Sequence, residues 1–355
     1  MSPLASNAAL ARGICFRKCR LLSLVLRAVL ILCVIPPLFA KTSFAQTPST
    51  TLLILEKDDS MLAVADPGSL KIVGRVAAGA DPHEVAVSSD GKTAYITNYG
   101  AFGKPQHTLS VVDLVTLQAR PTIDLGALLA PHGITNVAGK MYFTAEGSKV
   151  LGRFDPATEK VDWILGVGEN RTHMLVVSPD ANRIFASDVN SDTISIFDRD
   201  KDSDASGWKQ TRLTVGKGPE GFDVSPDGRE LWAANSHDGT ISIIDVASRK
   251  VVQTLDVKTK QSNRLKFSPD GNLVLVSDMG AGDVIVLDAH SRQELKRIHI
   301  GSAANGILLD LDGSRAFVAA SRDNFLAVVD LKTLAIVGTI PTGRGVDGLA
   351  WAVRK

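Results

Sequence analysis

Apolar and polar positions along this chain alternate in short runs separated by turn-forming residues, the pattern of half-buried β-strands rather than helices. The clearest stretch is Val224 to Val257, VSPDGRELWAANSHDGTISIIDVASRKVVQTLDV. It predicts strands at Leu231 to Ala234, Thr240 to Ile244 and Val251 to Val257, preceded by an apolar strand at Gly221 to Val224. Pro226, Asp227 and Gly228 suit the second, third and fourth positions of a type I turn, and Asp238-Gly239 marks a second reversal. A lone four-stranded meander cannot bury both faces, and repetition supplies the missing cover. Ser88 to Asn98 precedes Thr108 to Asp113, Ser178 to Asp188 precedes Thr193 to Asp198, Ser268 to Asp278 precedes Asp283 to Asp288, and Asp310 to Ser321 precedes Phe325 to Asp330. Val137 to Gly147 is a degenerate copy. The units recur every 40 to 50 residues or so, roughly the spacing of four-stranded propeller blades.

The two ends complete the count. Thr51 to Lys57, Met61 to Asp66 and Leu70 to Gly79 align with the second, third and fourth strands of the repeat, and Val346 to Ala352 with the first. The expectation is an all-β chain, a seven-bladed β-propeller closed by N- and C-terminal strands sharing one blade. Residues 46–355 would form this single domain, and a ring without a long exposed edge predicts a monomer.

Residues 1–45 read differently. Arg12, Arg17, Lys18 and Arg20 precede an apolar run from Leu21 to Ala40, and Ser43-Phe44-Ala45 is a small-x-small cleavage signal, so residues 1–45 are expected to be a secretory signal peptide. The alternative is an uncleaved membrane anchor, against which Arg27 and Pro36-Pro37 argue. Cleavage would leave a periplasmic or extracellular bacterial protein with no membrane span. All three cysteines lie in the leader, so thiolate and disulfide chemistry leave with it. Removing the leader's six basic residues leaves 33 basic against 38 acidic, a net charge of −5 that makes nucleic acid a poor partner.

Tyr95-Ile96-Thr97-Asn98, the SPDG turns and the T(I/V)S third strands carry a resemblance to the bacterial YVTN-type seven-bladed β-propeller repeat proteins across residues 51–355. The resemblance implies the fold. It implies no single function, since propellers of this kind include proteins without assigned activity, lactone hydrolases and metal-dependent oxidoreductases.

In such a ring each first strand lines the central channel. Just before its apolar alternation the seven blades carry His83, His132, His173, Glu220, Asn263, Asn305 and Asp347, in phase with the blade period, so they should form a ring at one mouth. The ends of the second strands, Glu56, Asn98, Asp188, Asn235, Asp278 and Ser321, with Glu146 beside the corresponding Ala145, are expected to add an outer layer at the same mouth, of which Glu56, Asn98, Asp188, Asn235 and Asp278 are taken as ligand-binding groups. His107 and His237 are expected on the same face. Three readings stay open. His83, His132 and His173 could hold a divalent transition metal (Zn, Cu, Ni or Fe), with Glu220 as fourth ligand or general base. The mouth, with Asn263 and Asn305, could bind a small molecule or a protein partner, the function taken as primary here. The polar residues could also be a purely structural rim. The enzymatic alternative is a metal-dependent lactonase-like hydrolase or oxidoreductase with Glu220 or Asp347 moving protons.

Other motifs carry less. Gly216 to Gly221 matches a dinucleotide fingerprint by letter, but a strand rather than a helix follows it. Asp198, Asp200, Asp202 and Asp204 space like a calcium loop, but Ser203 and Lys209 stand where glycine and glutamate are needed, which favours a solvated hairpin. No Gly-x-Ser-x-Gly or His-Glu-x-x-His motif occurs.

Overall fold

The turn chemistry closes as its residues require. Gly228 N–H donates to the Ser225 carbonyl at 2.8 Å with Gly228 at φ +73°, while the Ser225 hydroxyl donates to the Asp227 carboxylate at 2.6 Å. The same turn recurs at Gly91, Gly271 and Gly313. Each turn joins the first strand of a blade to the second, and the computed structural model, which describes residues 48–101, 103–200, 202 and 207–355, contains seven such blades. The expected leader and the Ser203 to Asp204 part of the acidic insertion lie outside the described residues. Among the described residues, no helix is long and apolar enough to cross a membrane.

Six blades are sequential four-stranded antiparallel meanders, beginning at Pro82, Pro131, Thr172, Pro219, Ser262 and Ala304. The seventh is composite. Val346–Val353 pairs antiparallel with Thr50–Glu56, which continues through Met61–Asp66 to Lys71–Ala77. The seven-bladed propeller closed by both ends of the chain is thus the observed fold.

Blade stacking dictates the burial. The second and third strands are covered on both faces and read as continuous apolar runs such as Leu52 to Leu55, whereas the fourth strands lie outermost and alternate. Apolar clusters fill the spaces between blades; one joins Leu53, Val64 and Ala352 of the composite blade to Val85, Ile96 and Val112 of the next.

The feature that positions the site is a bulge repeated seven times. In every blade the register between first and second strand slips, so that two first-strand residues face one partner: His83-Glu84, His132-Gly133, His173-Met174, Glu220-Gly221, Asn263-Arg264, Asn305-Gly306 and Asp347-Gly348. Hydroxyls on the second strands stitch the bulges together. Thr97 accepts the Glu84 N–H at 3.1 Å and donates to the His132 carbonyl of the next blade at 2.7 Å; Thr144 links Gly133 to His173 in the same way. The strands crowd the axle so closely that a Cβ on Gly306 would lie 2.0 Å from the Asp347 carbonyl oxygen, which is why glycine follows the ring residue there.

Candidate functional site: the channel mouth

The in-phase residues meet, but they do not act alike. His83, His132 and His173 stack in series, with ring centroids 4.6 Å apart for the first pair and 3.8 Å for the second. Burial is the main cause that lowers the His83 pKa to about 3, with Lys57 adding to it, and burial followed by His173 and His83 holds His132 well below the usual histidine range. Both imidazoles are therefore neutral. His83 has a partner at each nitrogen: its Nδ1 donates to the Asp81 carbonyl at 3.1 Å, and its Nε2 accepts from Lys57 Nζ at 2.9 Å. No lone pair is left for a metal, so the expected three-histidine set loses this member.

His132 and His173 differ from it. His132 Nδ1 and His173 Nε2 are buried without a hydrogen-bond partner among the described residues. His173 Nδ1 bonds Glu146 Oε1 at 2.5 Å, and the Tyr99 hydroxyl donates to Glu146 Oε2 at 2.6 Å. Burial opposes the charge on Glu146, but His173, Tyr99 and Arg171 outweigh it and hold its carboxyl below the ordinary range. Glu220 Oε1 stands 3.6 Å from His173 Nε2 and 3.2 Å from Arg171 Nη2. His132, His173 and Glu146 each offer one ligand atom within 4.8 Å of the others, so Glu146 takes the place that the sequence reading gave to Glu220.

On the far side of the ring, Arg264 pairs with Glu84 across the channel and lies 3.8 Å from Asp347. Lys57 Nζ donates to Asp347 Oδ2 at 3.2 Å. Burial raises the Asp347 carboxyl, but Lys57 and Arg264 more than offset it, so the net shift is downward. Asn263 accepts from Arg264, and Asn305 donates to the Ser321 hydroxyl at 2.7 Å.

The expected outer layer faces inward instead. Asn98 donates to the Thr108 hydroxyl at 2.8 Å and accepts from Ser110; Asn235 donates to Thr240 and Ser242; Asp188 accepts from Thr172, Thr193 and Ser195. Asp278 caps the N–H groups of Lys260 and Gln261, and Glu56 takes Arg75 and the Gly343 N–H. All five are buried structural ties within the blades. The next residue along reaches the mouth, as Lys57, Tyr99 and Glu146 show, and two of these stand where short 3-10 turns, Lys57–Asp59 and Glu146–Ser148, carry the chain over the rim. With Asp81, His83 and Arg171 they line an open cleft of about 500 Å³. His107 lies outside it, 3.6 Å from the Asp124 carboxylate, and His237 packs against Gly218.

The Asp188 tie has a measurable cost. Burial raises its carboxyl from 3.8 to about 6 despite the three hydroxyl donors. The folded state thus binds the proton more tightly than the unfolded chain, so Asp188 subtracts stability as pH rises from about 4 to about 6, by on the order of 2–3 kcal/mol once fully ionised. Two other blades carry asparagine at this position, Asn98 and Asn235. Asp188→Asn is expected to melt higher than wild type at pH 7.5, with the gap closing near pH 4.5; equal losses at both pH values in thermal scans would sink this reading.

A family model described as lactonase, seven-bladed β-propeller, matches residues 159–263. The uncharacterized protein YncE of Salmonella typhimurium is 26% identical over 252 residues, covering 67% of this chain and 70% of that protein. The chain is a YncE-like seven-bladed propeller. A shorter match, 26% identity over 94 residues, links the YncE-like chain to antigen Lp49 of Leptospira interrogans; it spans 26% of this chain and only about a fifth, 21%, of the antigen. Among solved structures, the periplasmic gluconolactonase PpgL of Pseudomonas aeruginosa superposes with a TM-score of 0.68 at 16% identity, covering 86% of this chain and 99% of that one, a likeness of fold. The lactonase match spans Arg171, His173 and Glu220 of the YncE-like propeller.

Proposed function

We propose that this is an exported propeller, acting as a monomer, that binds a small polyhydroxylated molecule such as a sugar acid or sugar lactone at the channel mouth. The carrying observation is the cleft of about 500 Å³ in which donors (Lys57, Tyr99, Arg171) alternate with acceptors (Asp81, Glu146), since closely spaced hydroxyls need both. Export is supported by the basic-apolar leader pattern of residues 1–45 and fits a fold shared with a periplasmic gluconolactonase. Gluconate and gluconolactone titrated into metal-free protein should raise its melting temperature, and Arg171→Ala should abolish the shift. Absence of any shift at millimolar ligand, or one that survives Arg171→Ala, overturns the proposal.

A second reading, hydrolysis of a lactone ring held in the same cleft, is favoured by the lactonase match over residues 159–263. Glu220, behind the cleft residue Arg171 at 3.2 Å, would take a proton from a water whose oxygen attacks the ring carbonyl; the ring C–O bond then breaks, and the departing alkoxide recovers the proton to give the hydroxy acid. Acid release from gluconolactone by wild type but not by Glu220→Gln separates the enzyme from the binder.

A further inference from the structure

Among the described residues, two buried imidazole nitrogens lack hydrogen-bond partners and sit beside a surplus of acidic groups. Around the mouth, Asp81, Glu84, Glu146, Glu220 and Asp347 are linked by close contacts to only three cations, Lys57, Arg171 and Arg264. Five carboxylates against three cations leave an excess of two acidic groups among the described residues of the mouth. Burying charge without compensation is costly, and a divalent cation would balance it.

We propose that His132, His173 and Glu146 bind one divalent first-row transition ion of the Zn²⁺ class. Two nitrogens and one carboxylate oxygen are a donor set such ions favour, and three protein ligands leave a further position for water or for part of a small ligand. The ion takes the place of the proton that His173 Nδ1 shares with Glu146 Oε1. The displaced proton moves to His173 Nε2, the tautomer required of a ring that binds through Nδ1, on the side where Glu220 Oε1 stands 3.6 Å away. Tyr99 fixes the other oxygen of Glu146, as outer partners of metal ligands commonly do. His132 Nδ1, buried and otherwise unpaired, completes the set. His83 is excluded because Lys57 occupies its Nε2.

The inference rests on the mouth being the functional site but not on the sugar-acid reading, so the two are titrated separately. The full-length exported protein, stripped with chelator, is titrated calorimetrically with Zn²⁺ in the absence of any organic ligand. One ion per chain is expected. His132→Ala and Glu146→Gln should each weaken binding at least about 100-fold, and Tyr99→Phe, as an outer partner, about 10-fold. Should a variant fail to fold, Co²⁺ added to wild type provides the readout, its visible bands reporting a low-coordinate nitrogen and oxygen site. No stoichiometric Zn²⁺ uptake by wild type, an octahedral aquo-like Co²⁺ spectrum, or wild-type affinity in both folded variants overturns the proposal. Zn²⁺ binding without gluconate binding would remove the sugar-acid reading and leave the metal site standing.

Discussion

Arg264→Ala is expected to lower the melting temperature by roughly 10 °C. The guanidinium is nearly inaccessible, pairs with Glu84 from the opposite side of the ring and stands 3.8 Å from Asp347, itself buried. Removing one partner of a buried pair leaves uncompensated charge and costs about 3–5 kcal/mol. At roughly 2–4 °C per kcal/mol for chains of this general size, that is a large displacement. The double variant Arg264→Ala, Glu84→Gln should recover part of the loss, because the charge left behind is then gone. Calorimetry of the three proteins decides the matter: a change under about 2 °C in the single variant would show that the channel is wet enough to screen these groups.

Deleting residues 346–355 should have a still larger effect, the loss of the cooperative fold. These residues supply the innermost strand of the composite blade. Val346 and Ala352 are buried, and Trp351 donates to the Leu309 carbonyl at 2.7 Å, tying the strand to the preceding blade. Without it, Thr50–Glu56 becomes an open edge whose Leu52 to Leu55 run faces solvent and other chains. Size-exclusion chromatography should show aggregates, and circular dichroism no sharp melt; a truncated monomer with the wild-type transition would refute ring closure as the source of cooperativity.

The blade count was legible because period and turn chemistry are local. Ser-x-Asp-Gly turns and Thr-x-Ser third strands recur in sequence, and the split blade follows from the unmatched ends. The ring was legible for the same reason: seven polar residues in phase must meet once the sheet closes. What could not be read was the bulge. A regular strand sends neighbouring residues to opposite faces, so Glu84 and Arg264 had no reason to join their neighbours in the channel; the two-for-one slip brings them there. The outer layer was misplaced by one residue. Asn98, Asp188 and Asn235 precede third strands with Thr and Ser two residues apart (Thr108 and Ser110, Thr193 and Ser195, Thr240 and Ser242), and those hydroxyls consume them. That pairing is visible in the sequence and would have moved attention to Lys57 and Tyr99, as the degenerate blade had already done for Glu146.

The composite blade also orders events in time. Its strands are made at opposite ends of synthesis, so six blades can form while their ring is still a horseshoe. A chain in that state has no finished axle, and the contacts of Asp347 with Lys57 and Arg264 do not exist until the final strand docks. A protein assembled this way acquires its central chemistry only after its last residues have been made.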